Sequence, residues 1–397
     1  MLGGACHVEQ AAARKWRSGD LDKALRKRDR RVRRKIREKK GFDKLLDKDG
    51  TQSSDENEQD AGGDSSVPEP PLGFTPQNEL FKSNLAEGGY YEEVSYDPRV
   101  LTKKDIVWLD QCRTLGFNPD TQKAYITGLG SYAGWGDFET SETGADPNDP
   151  RPQLYPCYIS EGGELNDPTF PFHEACYAVL AKRLGLENPA DISKDVLYKV
   201  AHVLCEGNAE SLTLDYGGQF SNDLWPNPPG EEYAVTCPED RGPDFHNVIW
   251  EHMPSSLRLA EPQPDFPHKV QRDPLTIFPF DVLHTILQNL SVQDALNFMQ
   301  ASHHVCSTTR DPAFWRSMIR THLAPWFWEI ENLVNSGELR SVNFKALLLW
   351  LDGVVRPELG MQGPFMGVAN RRRVWRVCGQ VADKYETQLG KEQEIKA

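Results

Sequence analysis

With 397 residues, 38% of them hydrophobic and 26% charged, and a mean hydropathy of −0.60, the chain is long for a single core and suits two or three units. Its formal charge of −14 is uneven: residues 14–40 hold fifteen Lys/Arg against four Asp/Glu, net +11, which leaves −25 on the rest. An acidic body does not attract nucleic acid at long range, so nucleic acid is not expected as a partner outside the N-terminal arm.

Residues 1–76 read as a basic, helix-prone arm followed by an acidic linker. Leu21, Leu25, Val32 and Ile36 give the arm only a thin apolar seam, so alone it would fray. Arg30, Arg31, Arg33, Arg34 and Lys35 form a candidate nuclear-import signal, next to the plainer reading of a solvated helix face. Thr51 to Pro71 is too polar and proline-punctuated to order itself and is expected to be disordered.

Residues 77–261 mix short strand and helix signals without regular βα alternation, which predicts an α+β domain offering a substrate or interaction surface. Thr102 can cap a helix over 103–115 carrying Ile106, Val107, Leu109 and Leu115, and Lys123 to Thr127 has strand composition up to Gly128. Gly128, Gly130, Gly134 and Gly136 follow; since residues 137–152 contain no helix start, they make a glycine-rich turn rather than a phosphate loop. Pro171 stands at a favoured helix start, with Phe172, Ala175, Cys176, Val179, Leu180 and Leu184 in one stripe ending at Gly185. A second helix begins after Ser193 and ends near Gly207, and Leu212 to Tyr216 reads as a strand. Residues 262–274 form a proline-rich linker, beyond which nearly everything is helical, with 275–323 and 324–397 as two successive regions.

Within 275–323 three short amphipathic helices are expected. The first follows Pro279 and aligns Val282, Leu283, Ile286, Leu287 and Leu290; the second is capped by Ser291; the third opens at Asp311 and Pro312 and aligns Phe314, Trp315, Met318, Ile319, His322 and Leu323. Three such helices cannot bury that many large apolar groups among themselves, so part of the stripe must meet another helix or a partner.

Pro279, Asp281, Val282, Leu283, Ile286, Leu287, Leu290, Ser291, Asp294, Leu296, Ser302, Asp311, Pro312 and Trp315 match, without a gap, the pattern of the F-box family, which this segment resembles. Phe278 and Ala295 stand where Leu is usual, and Ala301 where Val is usual. The two alanines are expected to weaken adaptor affinity by about a kilocalorie or two, at roughly 25 cal/mol per Å². The flanking segments Tyr125 to Gly128, Phe170 to Cys176, Pro325 to Glu329 and Asn370 to Trp375 are similar to fungal-type F-box proteins, in which the box follows a large N-terminal region.

That resemblance implies a substrate-recognition subunit of an SCF-type, cullin-RING ubiquitin ligase serving ubiquitin-dependent degradation. Its Skp-type adaptor would be held by Phe278, Pro279, Leu283, Ile286, Leu287, Leu290, Leu296, Ala301 and Trp315. A cullin would follow through the adaptor, and an unknown protein substrate would be presented on residues 77–261, with Trp326, Phe327 and Trp328 as a further surface. A scaffold acting with the adaptor alone is the alternative, and an enzyme domain fused to the box a third reading.

Little else suggests chemistry. His173, Cys176, His202 and Cys205 form two His-x-x-Cys pairs, a weak zinc candidate, against which stands Cys176 inside an apolar stripe; the expectation is no metal and no cofactor. No nucleophile elbow, metalloprotease helix or P-loop occurs, so a non-catalytic role is expected. Arg371 to Arg373 beside Trp375 reads as a structural basic edge. Eight scattered cysteines imply reduced thiols in cytoplasm, nucleus or both. The longest apolar run, Phe344 to Val355, is broken by Lys345, Asp352 and Gly353, so no membrane contact is expected.

Overall fold

The computed structural model describes residues 29–30, 32–34, 36–37, 97, 99–101, 103–133, 136–141, 153–158, 167–205, 212–216, 230–239, 241–242, 244–257, 273–335 and 342–396. Over these the chain is α+β: a curled antiparallel sheet with helices in the middle, then a helical C-terminal region. The linker expected at 51–71, most of the one at 262–274, the cap at Thr102 and the basic residues Arg31 and Lys35 lie outside the described residues.

The sheet holds β1 (Cys112–Asn118), β2 (Lys123–Ile126), β3 (Gly130–Ala133), β4 (Asp137–Thr140), β5 (Leu154–Pro156) and β6 (Phe170–His173). Leu115 pairs with both Ile126 and Phe170, so β2 and β3 share one edge of β1 and β6 takes the other. From β3 the ladder runs through β4 to β5, and a bridge between Cys157 and Thr169 draws that far end back toward β6. The curl closes over Phe138, which is fully buried. Its ring lies across Gly130, where a Cβ would come within 2.6 Å of it, so the tight crossing needs glycine.

Three expectations change here. The helix over 103–115 is only α1 (Lys103–Ile106) with a 3-10 turn at Val107–Asp110, because from Cys112 onward the backbone is hydrogen-bonded on both sides in the sheet. Pro171 does not open a helix; it lies in β6 opposite Thr114, on an edge strand that tolerates a residue without an N–H, and α2 (Glu174–Arg183) starts three residues later. Leu212 to Tyr216 makes no ladder. The Asp215 amide instead donates to Gln380 Oε1 at 2.9 Å, and Gln380 Nε2 donates to the Asp215 carbonyl at 2.8 Å. Helix α3 (Lys194–Cys205) begins after Ser193 as its pattern implies, with the Ser193 hydroxyl accepting from the Val196 amide at 3.4 Å.

Among the described residues seven helices follow α4 (Phe245–His252): α5 (Phe280–Asn289), α6 (Val292–Ala301), α7 (His303–Thr308), α8 (Pro312–His322), α9 (Glu329–Asn335), α10 (Phe344–Val354) and α11 (Met366–Lys396). Two hydrophobic cores form, and they do not follow chain order. Phe245 and Ile249 of α4, with Met253 just after it, join the helical core built by α5 to α10, to which α11 adds Val368, although all three precede the 262–274 segment. Conversely Met366, Val374, Val377, Val381 and Tyr385 of α11 fill the core of the sheet unit, packing along α2 and α3.

Where the cores meet, three arginines of α11 turn inward. The Arg371 side chain has no exposed surface and forms a two-pronged pair with Glu329, Nη1 to Oε2 at 2.6 Å and Nη2 to Oε1 at 2.8 Å. It also donates to the carbonyls of Pro238, at 2.6 Å, and Glu239, and stacks 3.7 Å over the Trp328 ring. Arg372 pairs with Asp352 at 2.6 Å, and Arg373 holds the Asn370 side chain at 2.7 Å. Arg241 lies over Gly367, where any Cβ would overlap its guanidinium, and burial lowers its pKa. The expected basic edge is therefore a joint. At Arg371 each guanidinium nitrogen donates to a carboxylate or a carbonyl, and a ring lies against its face, which is how a buried guanidinium is kept.

Candidate docking surface

The segment from Asp273 to Leu323 folds by local signals. Pro279, at φ −61° and ψ 152°, leads into α5, and its carbonyl accepts from the Val282 and Leu283 amides at 3.1 and 3.2 Å. Ser291 caps α6, its hydroxyl accepting from the Asp294 amide at 3.1 Å and donating to the Asp294 carboxylate at 2.7 Å. Asp311 caps α8 through the Ala313 amide at 2.8 Å, with Pro312 in the first turn. Between them sits α7, which the sequence pattern did not reveal, capped by the buried Ser302 through the Val305 amide at 3.1 Å.

Helix α5 is apolar over an arc wider than its own core can cover. Leu283 and Leu287, one turn apart, are buried with Met299, Val305, Phe314 and Met318. Val282 and Ile286, one turn apart on the neighbouring row, are 42% and 38% exposed. Phe278 and Phe280 at 38% and 40%, and Ile277 at 78%, continue that outer row onto the approach to the helix. Five large apolar side chains within ten residues thus face outward, a concentration that marks a contact surface. The His284 ring, 5.4 Å from Phe280 and 5.3 Å from Phe314, ties this outer layer to the core beneath it.

The nine residues singled out by resemblance divide accordingly. Phe278, Pro279, Ile286 and Ala301 are exposed, and Leu290 and Leu296 are half-buried against the helical core. Leu283, Leu287 and Trp315 are enclosed, the last edge-on to Phe314 at 5.1 Å, so they support the face from below. Ala295 is also interior, so its small size acts on the domain's own packing and not on a partner. Ile277 and Phe280 belong to the outer row but were not singled out; their spacing of three, flanking Phe278 and Pro279, was the available signal.

The remaining candidates fall elsewhere. His173, Cys176 and Cys205 are buried in the sheet core, His173 with its ring 4.9 Å from Trp108, and His202 is half-buried beside Tyr198. Among the described residues no three His, Cys, Asp or Glu side chains are grouped to hold a metal ion, so the two His-x-x-Cys pairs do not form a site. Burial pushes the Cys378 thiol, whose sulfur is 3.8 Å from the Cys176 carbonyl, far up. Arg30, Arg33 and Arg34 are exposed on a short helical stretch of the arm. It is fixed to the body by Asp29, bonded to Arg99 at 2.6 Å, and by Val32 and Ile36 resting against Gly230 and Gly360. Trp326 and Phe327 are buried, and Trp328 lies between Lys182 and Arg371; packing around the joint removes this cluster from the surface. A crevice beside α3 is lined by Leu115, Phe172, Leu204, Leu212 and Val381 among other apolar side chains, with no polar residue in its wall. Among the described residues no helix is long and apolar enough to cross a membrane.

Residues 275–317 match the family model for the F-box domain, which spans the outer apolar row and helices α5 to α7 with half of α8. Comparison with curated proteins and with solved structures returned no match. An F-box domain supports binding of a Skp-type adaptor and, in general, an adaptor role in SCF-type ubiquitin ligases. The chain thus carries an F-box domain, set behind a long N-terminal region.

Proposed function

We propose that this protein is a non-catalytic substrate receptor of an SCF-type ubiquitin ligase, binding a Skp-type adaptor, and through it a cullin, with the outward row Ile277 to Ile286. The observation that carries the reading is the split along α5, where Leu283 and Leu287 complete the domain and Val282 and Ile286 remain uncovered. An adaptor seated there removes apolar surface from water at about 25 cal/mol per Å². The catalytic contribution is proximity: the receptor holds a substrate beside a ubiquitin-loaded enzyme that supplies the chemistry. The sheet unit, with a core separate from that of the docking helices, is the substrate-facing part. Action in cytoplasm, nucleus or both fits the arm's exposed arginines.

The test is co-purification of the full chain with adaptor and cullin, alongside Ile286→Glu. Wild type retaining both partners and the variant retaining neither is the expected result. Retention of adaptor without cullin identifies the scaffold role instead, and equal retention by the variant overturns the docking face.

A further inference from the structure

The outer row hangs from one carboxylate. Asp273 lies just before the 3-10 turn Pro274–Ile277, and its Oδ1 accepts from the Leu275 amide at 3.0 Å. Its Oδ2 accepts from two groups at the corner between α6 and α7, the Ser302 hydroxyl at 2.7 Å and the His304 amide at 2.9 Å. The Asp273 carbonyl in addition accepts from the Thr276 hydroxyl at 2.8 Å, and the Phe278 amide closes the turn onto the Leu275 carbonyl at 3.1 Å. One side chain thus ties the entrance of the domain to a corner 29 residues away. Ile277 and Phe278 stand at one end of this tie and the exposed Ala301 at the other.

We infer that Asp273 is a positioning residue for adaptor docking, fixing the Ile277 to Phe280 approach against the α6–α7 corner so that Phe278 and Ala301 present one continuous surface. The inference rests on the docking reading above. Without the tie the approach keeps the packing of Leu275 and the Phe280–His284 ring contact, but Ile277 and Phe278, both exposed, lose the link that fixes them to the α6–α7 corner. Ordering it at the moment of binding would then cost affinity. A carboxylate suits the task because it meets three donors and has no hydrogen of its own to turn toward them. Those donors, the His304 amide foremost, hold its carboxyl below the usual carboxylate range, so it stays charged at neutral pH. Asparagine keeps an acceptor for Leu275 but points an amino group at the Ser302 and His304 donors.

The experiment titrates the full chain with purified Skp-type adaptor for wild type, Ile286→Glu, Asp273→Asn, Phe278→Ala, Val282→Ala and the doubles of Asp273→Asn with each alanine variant. Asp273→Asn is expected to bind about tenfold more weakly, the scale of lost hydrogen bonds to a charge. Its double with Phe278→Ala should bind close to Phe278→Ala alone, whereas its double with Val282→Ala should show both losses multiplied. Hydrogen exchange on the free chain should show faster exchange at Leu275, Phe278 and His304 and no change in α8 or α10. Wild-type affinity in Asp273→Asn, full multiplication with Phe278→Ala, or faster exchange throughout the helical core would each overturn the inference. If wild type binds no adaptor, the docking reading fails and takes the positioning role with it. If Ile286→Glu abolishes binding while Asp273→Asn does not, the positioning role alone fails.

Discussion

Around Arg371 a guanidinium without exposed surface sits among tryptophans, whereas between Ile277 and Ile286 five large apolar side chains face outward. Both invert the usual placement of polar and apolar groups, but among the described residues only the first is met by complementary groups. Glu329, two backbone carbonyls and the Trp328 face meet the charge, and the whole assembly comes from segments at 238–239, 326–329 and 371. Among the described residues the apolar row has no such complement. A buried ion pair is a finished contact, while an uncovered apolar row on a folded helix is an unfinished one.

Variants on either side can break this contrast. Glu329→Ala should have the largest effect, about 3–5 kcal/mol of lost stability read from the denaturant midpoint, because it strands the Arg371 charge. The double Glu329→Leu, Arg371→Met removes the stranded charge and should recover stability relative to that single variant; a double worse than the single would refute the account of the joint. Beneath the docking row, Leu287→Ala should cost about 2–5 kcal/mol by opening a cavity in the helical core. Asp311→Ala should cost about 1 kcal/mol through the lost cap of α8.

A smaller effect is expected from pH. Burial lowers the affinity of His322 for a proton below its ordinary value near 6.5, with Asp352 partly opposing. The unfolded chain therefore takes up the proton first as pH falls, so stability is full above that value and declines on acidification through it. His322→Gln should flatten this slope in thermal melts between neutral and mildly acidic pH. Smallest on stability is Ile286→Glu, within about 0.5 kcal/mol for an exposed position, although it should be the most damaging for adaptor retention. A large loss of stability in this variant would mean that the outer row is structural.

The same contrast explains what the sequence disclosed. Helices α5, α6 and α8 were legible because their signals are local: Pro279, Ser291 and Asp311 mark the starts, and apolar residues three and four apart mark the faces, whereas the short α7 carries no such stripe. The division of α5 into a covered and an uncovered row was foreseen only as a surplus of apolar groups, since which row wins depends on Phe314 and Met318 arriving from α8. The joint was hidden. Nothing near Arg371 announces Glu329, 42 residues earlier, and an Arg-Arg-Arg run beside a tryptophan reads locally as surface. Pro171 misled for a related reason, because its place in a strand is set by pairing with Thr114 and not by its neighbours in sequence.

Helix α11 has a consequence for how the chain acquires its structure. The sheet unit begins its core at Leu101, yet Val374, Val377, Val381 and Tyr385 complete it from more than 250 residues downstream. During synthesis the strands, α2 and α3 emerge while this packing partner is still unmade, and the F-box helices are made before α11, which then adds Val368 to their core. The module that would engage the ligase machinery is thus made before the helix on which the unit that would choose a substrate closes its core.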